Sequence, residues 1–212
     1  MEYKTTRKLF RGTYQYKIVL ICAGASWFRN RDMDKIFEEL KLVDLYQNQK
    51  KPSTWRASTL IKTQDELDYA FNLASTLVAF TQYELRVESP WITIYSNNKA
   101  DIDRLVSLDI TKVKYVSQPD PNVSLAQGTI VMPKMAYEFR VTMGKTVQPN
   151  LAFVEWADTN KKCKLTKSCI RDLGKQRSWG GTHFYITGDN NLLMAKMHLG
   201  GAIAKIERIV KS

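Results

Sequence analysis

Residues 92–105 read ITIYSNNKADIDRL, and residues 184–197, near the end of the chain, read FYITGDNNLLMAKM. Each stretch has alternating apolar side chains, then a polar turn, then apolar residues at helical spacing, which predicts a strand followed by a helix. Each leads into another apolar segment, ITKVKYV at 110–116 and AKIERIV at 204–210, which predicts a final strand. Because a one-residue gap aligns the two stretches throughout, we predict that one architectural plan occurs twice.

Two earlier segments extend this correspondence in the same order. YKIVLICAG at 16–24 aligns with YEFRVTMG at 137–144, and LIKTQDEL at 60–67 aligns more weakly with CKLTKSCI at 163–170. Both members of the second pair place a threonine, Thr63 or Thr166, where it would cap the next helix, and Glu66 completes a capping box with Thr63. Three matching segments predict an internal duplication, with chance likeness as the alternative.

The segment between the two copies, 118–132, contains two prolines, polar turn-formers and a glycine, which is typical of a linker. We therefore predict an N-terminal module at 1–117 with a basic arm and an extra helix and strand, a linker at 118–132, and a basic C-terminal module at 133–212.

Apolar periodicity defines the elements of both modules. The predicted strands cover 14–22, 57–62, 83–88, 91–96, 110–116, 137–143, 162–166, 182–187 and 204–210. The predicted helices cover 31–43, 64–79, 98–108, 149–157, 167–173 and 190–199. Strands that alternate with helices in this way predict an α+β fold of two tandem ferredoxin-like (RRM-like) modules, with helices on one face of each sheet and the other face free.

Composition excludes several classes of protein. The 212 residues are 44% apolar, which is too many for a disordered chain, and no apolar run is long enough to cross a membrane. Three cysteines at loose spacing and only two histidines argue against a disulfide scaffold and a zinc site. We expect reduced thiols, a cytoplasmic location, no membrane association, and neither cofactor nor metal.

The formal net charge is +11, which favours nucleic acid as a partner, ahead of an anionic membrane or an acidic protein surface. The densest basic stretch contains Lys161, Lys162, Lys164, Lys167, Arg171, Lys175 and Arg177. A second basic cluster, in the N-terminal arm, contains Lys4, Arg7, Lys8, Arg11 and Lys17. We predict phosphate contacts at both clusters, and the alternative is a solvated surface that only keeps the protein soluble.

Strand alternation predicts which side chains lie on the free sheet faces. In the strand at 137–143, Tyr137, Phe139, Val141 and Met143 are expected to face the helices and Arg140 to face away. His183 and Tyr185 share the free face with Arg140 when their strands are neighbours. The same face of the N-terminal module would carry Trp91, Thr93 and Tyr95. The alternative is that these faces are packed and the rings buried.

Two connecting segments combine aromatic and basic residues. Trp27, Arg29 and Arg31 lie between a strand and a helix, where they would hold a base and a phosphate or else plug the end of the sheet. Residues 177–182 include Arg177, Trp179 and two glycines and lead into His183. Glycine permits close backbone approach to a phosphate, so this segment is a predicted contact loop.

An open sheet with aromatic and basic residues resembles RRM domains, which stack bases of single-stranded RNA on exposed rings. The resemblance is architectural, because the RNP1 pattern of that family does not occur here. The tandem layout is similar to that of CRISPR repeat-processing endoribonucleases, without the spacing of their glycine-rich loop. The composition, rich in Lys, Asn and Tyr, resembles that of uncharacterised phage proteins.

Three functions follow. The first is a non-enzymatic protein, viral in origin, that binds RNA or single-stranded DNA. The second is a virion component or a host-factor-binding protein whose basic face meets an acidic protein surface. The third is a metal-independent endoribonuclease with His183 as general base; otherwise we assign no catalytic residue, since the paired carboxylates fit helix starts.

Overall fold

The computed structural model describes residues 2–49, 61–145, 149–174 and 180–211. The chain divides into two compact units, Met1–Pro121 and Asn122–Ser212. Both mix helices with a five-stranded sheet, so the fold class is α+β as predicted. Among the helices of the described residues, none is long and apolar enough to span a membrane.

In its described residues, the first unit contains a five-stranded sheet, sheet 1, and three α-helices. Its elements are β1 (Glu2–Thr6), β2 (Tyr16–Ile21), α1 (Met33–Gln49), α2 (Gln64–Val78), β3 (Tyr83–Glu88), β4 (Trp91–Ser96), α3 (Lys99–Leu108) and β5 (Val113–Pro119). The strand order is β1-β5-β2-β4-β3, with β1 parallel to β5 and every other pair antiparallel.

The core of this unit lies between one face of sheet 1 and the helices. Alternate strand residues such as Ile18, Leu20 and Ile94 pack against Leu40 of α1 and Leu73 of α2. The predicted Thr63 cap of α2 is confirmed, since the Thr63 hydroxyl accepts the Glu66 N–H at 3.3 Å. The predicted capping box is not reproduced, because the Glu66 carboxylate accepts the N–H of Lys62, at 2.8 Å, and not that of Thr63. This capped helix packs its apolar stripe onto the strands.

The second unit contains sheet 2. Its elements are β6 (Thr129–Val131), β7 (Phe139–Met143), α4 (Leu151–Thr159), β8 (Cys163–Leu165), α5 (Lys167–Leu173), β9 (His183–Ile186), α6 (Asp189–Leu199) and β10 (Ile203–Val210). The strand order is β6-β10-β7-β9-β8, with β6 parallel to β10 and the other pairs antiparallel. Val141, Phe184 and Ile186 face the helices and pack with Phe153 of α4.

The two sheets therefore share one strand order and one set of strand directions. They differ in how the edge strand, β3 or β8, is joined to its neighbour, β4 or β9. Only Ser89 and Pro90 separate β3 from β4, whereas α5 and the segment after it lie between β8 and β9. The Thr166 hydroxyl caps α5 as predicted, accepting the Cys169 N–H at 3.3 Å.

Several sequence predictions need correction or lie outside the described residues. The predicted linker at 118–132 contains the end of β5 and all of β6, and the units meet at Pro121/Asn122. The predicted strand at 57–62 lies outside the described residues except for Ile61 and Lys62, which are not in a strand. The N-terminal arm contains β1, which was not predicted.

Tyr137 is the clearest side-chain correction. The regular strand begins only at Phe139, after a bend at Glu138, so alternation does not extend back to residue 137. The Tyr137 ring stacks on Tyr185 at 6.1 Å between centroids. It therefore lies on the face away from the helices, opposite to the prediction.

Candidate nucleic-acid interface

The face of sheet 1 turned away from the helices is termed the sheet-1 face. Strand register aligns its outward residues in rows: Val19 of β2 lies between Thr93 of β4 and Tyr115 of β5, and Lys17 lies between Tyr95 and Ser117. Among the residues that the structure describes, the core lies on the other side of the sheet, between the strands and the helices. The surface chemistry of the sheet-1 face is therefore set by strand side chains and by the N-terminal arm.

Half-buried aromatic rings on the sheet-1 face have lysine ammonium groups above them. Lys114 Nζ lies 3.8 Å from the Trp91 ring centroid. Tyr115 is flanked by Lys4 Nζ at 4.4 Å and Lys17 Nζ at 4.8 Å. A cation within about 6 Å of a ring face is attracted to the ring's negative quadrupole. Positive charge and flat apolar surface thus occur together along this face.

Tyr95 is the exception, because the N-terminal arm covers it. The rings of Phe10 and Tyr14 lie 5.8 and 6.2 Å from the Tyr95 ring, and the Arg11 guanidinium lies 5.1 Å from it. Arg11 also forms an ion pair with Glu84 of β3. Tyr95 is only 8% exposed as a result. The arm therefore places Arg11 on the sheet, while Arg7 and Lys8 remain exposed before the turn.

The corresponding surface of the second unit, the sheet-2 face, contains the predicted cluster of Arg140, His183 and Tyr185. β7 and β9 are neighbours, with Arg140 opposite Tyr185. Lys164 of β8 lies opposite Tyr185 on its other side. Tyr185, Arg140 and Lys164 therefore form one row across the sheet.

Arg140 is held in an ion pair on the sheet-2 face. Its guanidinium donates to Glu207 Oε2 through Nη2 at 2.7 Å and Nε at 3.0 Å. Lys205 Nζ lies 2.9 Å from the other carboxylate oxygen. The Glu207 side chain is buried, and a buried carboxylate needs this compensation. The sequence analysis placed Arg140 on the free face but overlooked Glu207, which lies two strands away from Tyr185 in the same row.

His183 and Tyr185 form a polar pair beside this network. His183 Nε2 lies 3.1 Å from the Tyr185 hydroxyl. Burial, and then the nearby positive charge of Arg140, lower the pKa of His183 below its usual value. His183 is accordingly neutral at physiological pH and adds a hydrogen-bonding group, not a charge, to the sheet-2 face.

The basic stretch beginning at Lys161 is distributed over three elements. Lys161 and Lys162 lie in the turn before β8, Lys164 lies on β8, and Lys167 and Arg171 lie on α5. All five are exposed, and Arg171 lies 3.9 Å from the Asp172 carboxylate. Lys164 shares the sheet-2 face, opposite Tyr185. Lys175, Arg177 and Trp179, the remaining predicted contacts, lie outside the described residues.

The segment at Trp27, which was predicted either to hold a base and a phosphate or to plug the end of the sheet, packs as a plug. Residues Ala25–Asn30 form a 3-10 helix whose Phe28 is fully buried, with Trp27 packed against the same core. A Cβ on Gly24 would come within 2.7 Å of the Trp27 ring, so glycine is required there. Arg31 donates to the Leu85 carbonyl at 2.9 Å. Of the predicted set, Arg29 is exposed and forms no ion pair with the residues that the structure describes, whereas Arg31 also lies 3.5 Å from the Glu84 carboxylate.

The glycines before His183 serve backbone packing. Gly181 N–H donates to the Met143 carbonyl at 2.9 Å, and Met143 N–H donates to the Thr182 carbonyl at 2.7 Å. A Cβ on Gly180, whose φ is +74°, would lie 2.9 Å from the Gly144 backbone. The close approach that Gly180 permits is therefore to the end of β7.

The remaining polar groups do not assemble a metal site. Within the described ranges no three His, Cys, Asp or Glu side chains converge as metal ligands. Cys22, Cys163 and Cys169 are buried free thiols. His198 lies beside Phe153 and Trp156, with ring centroids 5.8 and 5.7 Å away, as an ordinary packed histidine would.

Sequence reasoning missed the strongest aromatic and cationic group. Tyr115 and Lys114 were interpreted only as strand residues, and Lys4 and Lys17 were assigned to a basic cluster without any link to an aromatic ring. Alternation alone does not place Tyr115 outward, because Val113 and Val116 both pack in the core and the register shifts between Val113 and Tyr115; its lysine neighbours also depend on the strand register. Comparison of the chain with known protein families, curated proteins and solved structures finds no match.

Proposed function

We propose that this protein binds single-stranded nucleic acid, RNA or DNA, through the sheet-1 face and acts without catalysis. The observation that carries the proposal is the pairing of half-buried rings with cations: Trp91 with Lys114, and Tyr115 with Lys4 and Lys17. Single strands are bound where bases stack on rings and neighbouring cations contact the backbone phosphates.

Binding would exchange partners at each ring. In the free protein a lysine ammonium occupies the space above the ring, where it gains a modest cation–π attraction. An incoming base would take that space by stacking, and the displaced lysine would reach the adjacent phosphate. The net charge of +11 supports the same partner, because it attracts a polyanion over a distance.

We also propose that each unit is a ferredoxin-like module with one added edge strand, and that the pair arose by internal duplication. The shared strand order and directions of the two sheets support this, as does the aligned sequence of residues 92–105 and 184–197. The extra strands β1 and β6 occupy equivalent edges, each parallel to the last strand of its unit. The position of α5 between β8 and β9 departs from the pattern of the first unit.

The binding proposal is tested by removing one ring. We expect Trp91→Ala to weaken the binding of a labelled single strand of about 12 nucleotides by about 5- to 150-fold, the usual effect of losing one stacked base. Fluorescence anisotropy at a fixed salt concentration measures the affinity, with RNA, DNA and duplex probes in parallel.

The matched control is Lys35→Ala on α1, which is exposed on the helix side of the unit. It removes a charge without touching the sheet-1 face, and we expect a change of less than about twofold. Equal affinities of the wild type and Trp91→Ala for every single-stranded probe, with folding intact by circular dichroism, would contradict the proposal.

A further inference from the structure

A cavity of about 200 Å³ lies in the first unit at the end of β2. It is lined by residues 21–23, by Pro90 and Lys112, and by Glu66 and Tyr69 of α2. Binding pockets for drug-sized ligands span about 300–1,000 Å³. This cavity is smaller and suits a single ring system.

The cavity adjoins the Trp91 end of the sheet-1 face. Ile21, which lines it, pairs with Trp91 in the register of β2 and β4, and Pro90 immediately precedes Trp91. The Cys22 N–H donates to the Pro90 carbonyl at 3.0 Å, which fixes this corner. A strand that stacked a base on Trp91 would therefore bring its next nucleotide to the cavity.

Tyr69, which lines the cavity, carries an unused hydrogen-bonding group. The residue is 6% exposed, and its hydroxyl has no hydrogen-bond partner in the part of the chain that the structure describes. Burial keeps the pKa of Tyr69 well above its usual range, so the hydroxyl stays neutral and able both to donate and to accept. A buried hydroxyl without a partner is unfavourable, and a ligand that bonded to it would remove that cost.

The other polar groups of the cavity wall have different chemistry. Glu66 contributes a carboxylate, which accepts hydrogen bonds, and Lys112 contributes an ammonium. Cys22 contributes a neutral thiol, since burial raises its pKa to about 11. A carboxylate recognises an exocyclic amino group, as Glu and Asp do with cytosine N4. An ammonium beside it is suited to the phosphate of the same nucleotide.

We propose that the cavity receives one unstacked base of a single strand bound on the sheet-1 face, and that it prefers a base with an amino group. The Tyr69 hydroxyl and the Glu66 carboxylate bond to the base edge, and Lys112 contacts its phosphate. This assignment rests on the proposed function and adds to it a preference for cytosine over uracil.

The test uses Tyr69→Phe, which removes only the hydroxyl, with (rC)12 and (rU)12 as labelled probes of about 12 nucleotides. We expect the variant to bind (rC)12 about three- to tenfold more weakly than the wild type, the usual effect of one hydrogen bond. Its affinity for (rU)12 should change less, so the preference for (rC)12 shrinks. Because the hydroxyl has no partner in the free protein, the melting temperature of the variant should be unchanged or higher.

Tyr83→Phe is the matched control, since it removes the same atom from β3, away from the cavity. A Tyr69→Phe variant that binds (rC)12 like the wild type, while Trp91→Ala loses affinity, would overturn the cavity assignment alone. Full affinity in both variants would overturn the proposed function together with it. A sharp fall in the melting temperature of Tyr69→Phe would make the hydroxyl structural and would also overturn the assignment.

Discussion

On the sheet-1 face lysines lie over aromatic rings, whereas on the sheet-2 face Arg140 and Lys205 are paired with a buried carboxylate. Lys17 faces Tyr115 and Phe10, but Lys205 and Arg140 both contact Glu207. The two sheets share their strand order, so topology alone does not determine which face can take a ligand. The deciding factor is the residue that the register places beside each cation.

The two faces therefore differ in function. A lysine over a ring is exchangeable, because its attraction to the ring is weak and its charge remains hydrated. An arginine bonded twice to a buried carboxylate is fixed, because breaking the pair leaves an uncompensated charge. We therefore expect binding to depend on the sheet-1 face and stability to depend on the sheet-2 face.

The largest expected effect is on the stability of the second unit. Glu207→Ala leaves Arg140 half-buried without its carboxylate, and we expect the free energy of unfolding to fall by about 3–5 kcal/mol. Urea denaturation followed by circular dichroism measures it. Glu88→Ala, which removes an exposed carboxylate paired with Arg86 on sheet 1, should change the stability by less than about 1 kcal/mol. Equal losses in the two variants would contradict the division of roles.

A smaller effect distinguishes Lys17 from Lys205 by how much each contributes to the binding of single strands. Lys17→Ala should weaken binding about three- to tenfold and lower the slope of log affinity against log salt by about 0.7, the value for one phosphate contact of a single strand. Lys205→Ala should leave both quantities unchanged, because Lys205 pairs with Glu207. A salt series of anisotropy titrations measures both quantities. An equal change of slope in the two variants would contradict the expected difference between the two faces.

The smallest expected effect is a pH dependence confined to the second unit. Burial and Arg140 lower the pKa of His183, so below about pH 6.5 the unfolded chain binds more protons than the folded one. Stability from this group is complete above that pH and is lost as the pH falls toward and below the folded-state pKa. The melting temperature of the wild type should therefore fall more between about pH 7.5 and 5 than that of His183→Gln.

His198→Gln is the control for this experiment, because His198 packs on Phe153 and Trp156 away from the sheet-2 face. It should retain the pH dependence of the wild type. A pH dependence equally reduced in both histidine variants, or unchanged in His183→Gln, would show that His183 does not carry the effect.

Much of the fold could be predicted from the chain because its signals are local. The limits of β3, β4 and α5 agree with the predicted ranges: alternation marks the two strands, Pro90 separates them, and Thr166 and Gly174 bound the helix. The edge strands β1 and β6 were missed. They are short, and β1 is largely exposed, so neither has the apolar alternation that identifies a half-buried strand.

The candidate site was less predictable, because its contacts join residues that are distant in sequence. Alternation correctly placed Trp91, Arg140 and Tyr185 on outward faces. Alternation could not predict the ion pair between Arg140 and Glu207, because that pair depends on the register of β7 against β10. Nor could it predict that the arm packs over Tyr95. The Trp27 segment followed the plug alternative because Phe28 is buried beneath it.

The edge strands described above also bear on self-association. An exposed strand edge can pair with a strand of another molecule and start aggregation, and shortness or charge opposes this. In the second unit both edges, β6 and β8, are three residues long. In the first unit the edges are longer but charged, with Glu2 and Lys4 on β1 and Glu84, Arg86 and Glu88 on β3. Both units thus protect their sheets from continuing into a neighbouring molecule, one by brevity and the other by charge.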